Sequence, residues 1–259
     1  MENLRGIYTL WLRDVKRFSR DRARIIGATS PPLLWLFIIG TGVNRGIANV
    51  VSPERLGVVL GAKNYITFIY PGVIGMTILF TSIFSAVSII WDREFGFLKE
   101  VLVAPISRWA VAVGRTLGGA TVALFQGAIM LIFAPFIGVE ITLLTVPKLF
   151  LFMFLIAFAL TSLGMAVAAR MRSMEGFQVI MNFLTLPMFF LSGAIFPLRN
   201  LPGWLDFLVK IDPLSYGVDI LRNALGGPTQ NSLALNLLVI AGFGFVMISL
   251  AVYQFSQLE

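Results

Sequence analysis

The side chains able to do chemistry in this chain are charged ones. It has no cysteine and no histidine, which excludes disulfides, thiolate or imidazole metal sites, nucleophilic catalysis by either residue and haem ligation through them. Within "SIIWDREFGFLKEVLVAPISRW", Ser88 to Trp109, Asp92, Arg93, Glu94, Lys99, Glu100 and Arg108 interrupt an otherwise apolar sequence. Trp91, Phe95, Leu98 and Leu102 recur there at i, i+4, i+7 and i+11, one stripe of a helix, with Asp92, Arg93, Glu94 and Glu100 mainly off it. Pro105 ends the pattern. A short helix with an apolar stripe and charges of both signs suits docking on a protein partner rather than bond chemistry.

The elements that must position this segment are membrane spans. The chain of 259 residues is 58% hydrophobic and 13% charged, with a mean hydropathy of +0.88, whereas a soluble domain is about 25% charged. Six apolar runs approach the roughly 20 residues that cross a bilayer: Ile25–Val43, Tyr65–Ile90, Thr116–Val139, Leu149–Ala169, Gly176–Phe196 and Leu233–Gln254. The first contains Pro31 and Pro32, which membrane helices tolerate when neighbours satisfy the freed carbonyls. No cleavable signal peptide is expected, because a long charged segment precedes the first run and no small-residue cleavage site follows it.

Lysine and arginine are unevenly distributed between alternate loops. Thirteen lie before the first run, between the second and third and between the fourth and fifth, against seven on the other side. The positive-inside rule then places both termini and the 91–108 segment in the cytosol. The net charge of +7 and pI of 10.1 are explained by these loops, without nucleic acid. Acids are not required by that rule, so Asp92, Glu94 and Glu100 point to a protein partner.

Residues 1–24 show Leu4, Tyr8, Trp11, Val15 and Phe18 at helical spacing, with Arg13, Lys16, Arg17 and Arg20 largely elsewhere. This predicts a helix lying in the membrane interface, acting as a topogenic anchor or in partner binding. Ionisable residues are nearly absent from the middle of the runs, and Arg115, Lys148 and Arg170 near their ends are expected to snorkel to the interface. That absence disfavours the alternative of an ion-coupled carrier or channel, and an intramembrane enzyme lacks a nucleophile–base or metal constellation. An amphiphilic or apolar cargo is left, with Gln126, Asn182, Phe183, Phe189 and Phe190 as candidate pathway contacts. Gly114/Gly118, Gly119/Ala123/Gly127 and Gly164/Ala168 have the spacing that permits close helix contact in lipid.

The 197–225 segment, extracytoplasmic in this topology, contains two short amphipathic pieces around 202–211 and 214–225, separated by Asp212–Pro213. Each is too short to span, so a re-entrant or interfacial hairpin is expected. An ordinary loop with Trp204 as an aromatic anchor is the plainer possibility.

Two stretches resemble the permease subunits of ATP-binding cassette type-2 exporters. "WDREFGFLKEVLVAPISRWAVAVGR", Trp91–Arg115, is similar to that family's D-R-E-x-G-x-[LF]-[KE]-x-[LV]-L-[VA]-[ST]-P-[VI]-[SP]-R segment, and "FPLRNLPGWLDFLVKIDPLSYGVDILRNAL", Phe196–Leu225, to its extracytoplasmic hairpin. Phe95, Phe97 and Ala104 depart from the residues usual there.

The resemblance implies an all-α permease of six spans with a coupling helix that docks on a separate ATPase through Asp92, Arg93, Glu94, Phe95, Gly96, Phe97, Leu98, Lys99, Glu100 and Leu102. It implies a lid over the exit involving Phe196, Pro197, Trp204 and Pro213. It further implies two permease chains, most simply a homodimer, with two ATPases in the plasma membrane of a prokaryote. None of the five lysines lies in a G-x-x-x-x-G-K-[ST] loop, so ATP must be hydrolysed elsewhere, and the resemblance implies a transporter permease rather than an enzyme. It needs no cofactor of its own, and ATP and magnesium belong to the partner.

Overall fold

The structure, a computed structural model, describes residues 2–50, 60–96, 105–171 and 173–257. Among these every regular element is helical and no strand occurs. The α-helices are α1 (Glu2–Arg20), α2 (Arg22–Leu34), α3 (Gly40–Ala48), α4 (Tyr65–Ser85), α5 (Val87–Glu94), α6 (Arg108–Leu131), α7 (Thr145–Arg170), α8 (Met174–Leu191), α9 (Gly203–Ile211), α10 (Pro213–Ala224) and α11 (Leu233–Ser256).

Among the described residues, five stretches are long and apolar enough to cross a membrane: Ile25–Ile47, Tyr65–Glu94, Thr145–Arg170, Met174–Leu191 and Leu233–Ser256. The expected third run, 116–139, is also helical in part, but its helix α6 occupies 108–131 and is not one of the five. It carries Arg115, Gln126 and four glycines, all tolerable because α6 is surrounded by protein. Pro135 and the left-handed Gly138 (φ +73°) end the helical path before Val139.

Local chemistry explains the boundaries. Asn64 opens α4 with a capping box: its side chain accepts from Thr67 N at 2.8 Å while the Thr67 hydroxyl accepts from Asn64 N. Ser173 and Ser232 cap α8 and α11. Pro31 and Pro32 do not break the first run. A π-helical turn, Trp35–Ile39, follows them and joins α2 to α3, and the Gln126 amide donates to Ile25 O at 3.2 Å and to the Thr29 hydroxyl.

The core is α4, α6 and α7 packed together, with α11 along α7 and α10 wedged against α4, α7 and α11. The glycine pattern accounts for the close approaches. Gly164 faces the backbone of Ile83, where an added Cβ would lie 3.0 Å from the carbonyl oxygen. Gly118 faces α1, where it would lie 2.9 Å from Asp14 Cβ. The Gly114/Gly118 groove therefore receives the N-terminal helix rather than another span.

Candidate functional site

Helices α4 and α5 run almost without interruption from Tyr65 to Glu94, a rod of about 45 Å at helical rise. Its two ends hold the polar groups that matter.

At the Glu94 end, four elements meet. Asp92 on α5 is buried, and its carboxylate accepts from Arg13 of α1 at 2.6 Å and from Arg115 of α6. Arg115 also pairs with Asp14 of α1 at 3.1 Å. Two carboxylates thus face two guanidiniums. Arg115 is only 1% exposed, so it does not snorkel as the sequence suggested: its counter-ions are inside the protein. Lys148 and Arg170, by contrast, are exposed. Arg93 turns towards α7 and donates to Ala169 O at 2.9 Å and to Met171 O. Arg17 lies over the Trp91 ring at 5.1 Å, and Trp11 donates to the Thr121 hydroxyl at 3.0 Å.

Helix α1 forms as expected, but its inward face is Leu10, Asp14 and Phe18 against α6 and the rod, leaving Leu4, Tyr8, Lys16 and Arg17 exposed. Of the residues expected to couple, Asp92 and Arg93 are thus engaged inside the chain. Glu94 and Phe95 are exposed, Phe95 by 83%, and Gly96 (φ +79°) redirects the backbone just beyond them. Phe97, Leu98, Lys99, Glu100 and Leu102 lie outside the described residues.

The candidate pathway residues are not brought together. Gln126 is buried as the clamp between α6 and α2, and Phe189 packs edge-on against Trp35 at 5.7 Å. Asn182, Phe183 and Phe190 lie on the exposed side of α8. An apolar cavity of about 440 Å³ does occur, between the proline segment of α2 and Phe80 and Phe84 of α4, with Phe18 at its edge.

At the Tyr65 end, the 197–225 segment forms two helices, and Pro213 starts the second. Helix α9 is exposed through Trp204, Phe207, Leu208 and Ile211, while α10 is buried. Phe196 and Pro197 are half-buried in the approach. Asp212 caps α10 by accepting from Leu214 N at 3.0 Å, and its second oxygen has no partner among the described residues. Burial pushes its carboxyl up to about 8, against the opposing effect of the Leu214 and Ser215 backbone amides. Asp219 accepts from Gln230 N, Asn231 N and the Asn236 amide, tying α10 to the start of α11. Burial lowers the Arg222 guanidinium, and Asp219 offsets this only in part.

Asp14, Asp212, Asp219 and Arg222 were not picked out by sequence reasoning. Asp14 and Arg115 share a signal that could have found them: opposite charges on segments expected at the same membrane face.

The sequence model for the ABC-2 type transporter family matches residues 5–225. The chain is 27% identical over 221 residues to the transport permease ycf38 of Cyanophora paradoxa, covering 85% of this chain and 73% of that one. It is 26% identical to nodulation protein J of Rhizobium meliloti, covering 85% and 81%. It is likewise 26% identical to the ABC transporter permease protein DrrC of Mycobacterium tuberculosis, named for doxorubicin resistance, covering 89% and 80%.

Proposed function

The chain belongs to the ABC-2 type transporter family, and on that footing we propose that it is the membrane-spanning subunit of an ATP-driven exporter that moves an amphiphilic or hydrophobic substrate outward by alternating access. A drug, lipid or glycan-like cargo suits the aromatic and apolar interior, including the cavity beside Pro31 and Pro32. Six spans are counted when α6 is included, with both termini in the cytosol of a prokaryotic plasma membrane. ATP and its magnesium would be held by a separate nucleotide-binding subunit, two copies for two permease chains.

The observation that carries the coupling role is the sequence of anchors at the end of the rod. Asp92 and Arg93 are tied to α1, α6 and α7, and the next residues, Glu94 and Phe95, are presented outward. A push on that exposed step would reach four helices through charge-assisted bonds rather than through a loose loop.

The exposed side of α8 supports a second permease chain or a pathway there. Asn182 sits among exposed Val179, Phe183 and Leu186, and an amide facing hydrocarbon without a partner is unfavourable. The exposed apolar residues of α9 suit a lid resting at the outer interface.

The test is charge reversal by Glu94→Lys with Glu100→Lys, scored by efflux of an amphiphilic dye and by retention of the ATPase subunit on the purified permease. Efflux should fall to background and retention should weaken at least about thirty-fold, the effect of losing about 2–5 kcal/mol of interfacial charge pairing. Membrane insertion should persist, because added cytosolic lysines strengthen the positive-inside bias. Wild-type efflux and retention in the double variant would remove the coupling assignment. Orientation is checked with Arg17→Cys and Glu140→Cys in a chain that has no other cysteine: only the second should react with an impermeant maleimide from outside.

A further inference from the structure

A cavity of about 280 Å³ lies at the Tyr65 end of the rod, opposite the Asp92 cluster. Its walls come from Gly61–Lys63, the first turns of α4, the turn at Gly138–Glu140 and the chain that follows α10. Arg222 lines it and is only 6% exposed. One terminal nitrogen, Nη2, donates to Gly193 O at 2.9 Å, and the guanidinium carbon stands 4.6 Å from the centre of the Phe68 ring. The Nε group is buried with no hydrogen-bond partner, and no carboxylate within salt-bridge distance faces Arg222 among the described residues. The nearest candidate, Asp219, has both oxygens taken by Gln230, Asn231 and Asn236. Gly227 lets the following chain wrap the guanidinium stem, since a Cβ there would lie 2.7 Å from Arg222 Cγ.

A buried guanidinium with an open Nε donor, on which Asp219 acts only from beyond salt-bridge distance, suits an anionic acceptor from outside the chain. The other charged residues of the wall are Lys63 and Glu140, both exposed at the mouth. Lys63 offers the same acceptor a second cationic donor at the mouth, and a phosphodiester supplies anionic oxygens for both. Planar guanidinium donors match two phosphate oxygens, and the volume falls just below the roughly 300–1,000 Å³ usual for small-ligand sites. We propose that this cavity binds a phosphodiester headgroup, with Arg222 at its base, Lys63 at its mouth and Glu140 tuning the charge. The site is distinct from the apolar cavity beside Pro31 and does not depend on the choice of cargo.

Binding is read as the thermal shift and Kd of the purified full chain, titrated with short-chain phosphatidylglycerol, with glycerophosphoglycerol, which is the same headgroup without acyl chains, with inorganic phosphate and with uncharged diacylglycerol. The first should bind and diacylglycerol should not. Glycerophosphoglycerol binding equally well assigns the source to soluble phosphodiesters, and much weaker binding assigns it to a membrane lipid. Inorganic phosphate should bind more weakly than either diester. Arg222→Gln should weaken diester binding by about tenfold or more, Lys63→Gln should weaken it less, and Glu140→Gln should tighten it. Because Arg222→Gln also removes a bond to Gly193 and can unfold α10, the two exposed variants decide independently. No shift with any phosphate compound, or unchanged affinity in both Lys63→Gln and Glu140→Gln, would overturn the site.

Discussion

At one end of the α4–α5 rod two carboxylates meet two guanidiniums, Asp14 and Asp92 with Arg13 and Arg115. At the other end Asp212 and Arg222 are as deeply buried, but neither faces an opposite charge within bonding distance among the described residues. The first arrangement closes on itself and locks α1, α5 and α6 into one piece. The second leaves buried polar atoms open, at Asp212 Oδ2 and Arg222 Nε. In the proposed exporter, force would enter at the first end and molecules would be met at the second, and each arrangement suits its place. Rigidity is needed where force enters, and unfilled hydrogen-bonding capacity is needed where something is to be met.

The largest effect that would break this contrast is loss of Asp92. Asp92→Ala leaves Arg115 buried with Asp14 alone and deprives Arg13 of its 2.6 Å partner. Removing one member of a buried ion pair costs about 3–5 kcal/mol, so the melting temperature of the purified chain should drop steeply. Asp92→Leu with Arg115→Leu removes both charges and should recover a large part of the loss, since an apolar replacement of a buried pair is often neutral. An Asp92→Ala protein that melts like wild type would mean the Glu94 end is no more locked than the other.

A smaller effect sharpens the comparison through pH. The Asp212 carboxyl is raised from an ordinary value of 3.8 to about 8 by burial, so the folded protein holds its proton where the unfolded chain has released it. Stability is then greatest below about pH 4 with respect to this group and is lost progressively as pH rises to about 8. Asp212→Asn cannot titrate and can still accept the Leu214 amide. The variant should match wild type at pH 5 more nearly than at pH 8, where it should melt at a higher temperature. Parallel curves for the two proteins across this range would show that Asp212 is not held neutral.

The two ends also differ in how legible they were. Punctuation told where the two helices of the hairpin begin and end: Pro202 and Asp212–Pro213 both mark real boundaries. Which piece of the hairpin is buried was not legible, because α9 with Trp204, Phe207 and Ile211 is the exposed one and α10 with Ser215, Asp219 and Arg222 the buried one. The ordinary rule that apolar side chains go inside fails where the surroundings are themselves apolar. Helix α6 was misplaced by eight residues at each end for a related reason. A hydropathy window measures fitness for lipid, and a helix wrapped in other helices can start with Arg108 and contain Arg115 because its neighbours supply the partners. The docking of α1 was hidden as well. Its spacing predicted an amphipathic helix, but only the Gly114/Gly118 groove of α6 decides which face turns inward.

The smallest expected effect concerns that docking. Trp11 spans the seam between α1 and α6, and its indole N–H donates to the Thr121 hydroxyl at 3.0 Å in a partly buried setting. Trp11→Phe keeps an aromatic ring beside Tyr8, 5.7 Å away in the native protein, and deletes the donor. A single neutral hydrogen bond contributes about 0.5–1.5 kcal/mol net, so the melting temperature should fall by a few degrees and no more. Thr121 bonds Leu117 O as well, so its hydroxyl is not stranded by the change. Trp11→Phe should therefore be milder than Asp92→Ala by several-fold in free energy, because the charged cluster, not the indole, holds α1 to the rod. If the two variants destabilised equally, the ionic network would be incidental and the N-terminal helix would be held by its aromatic seam.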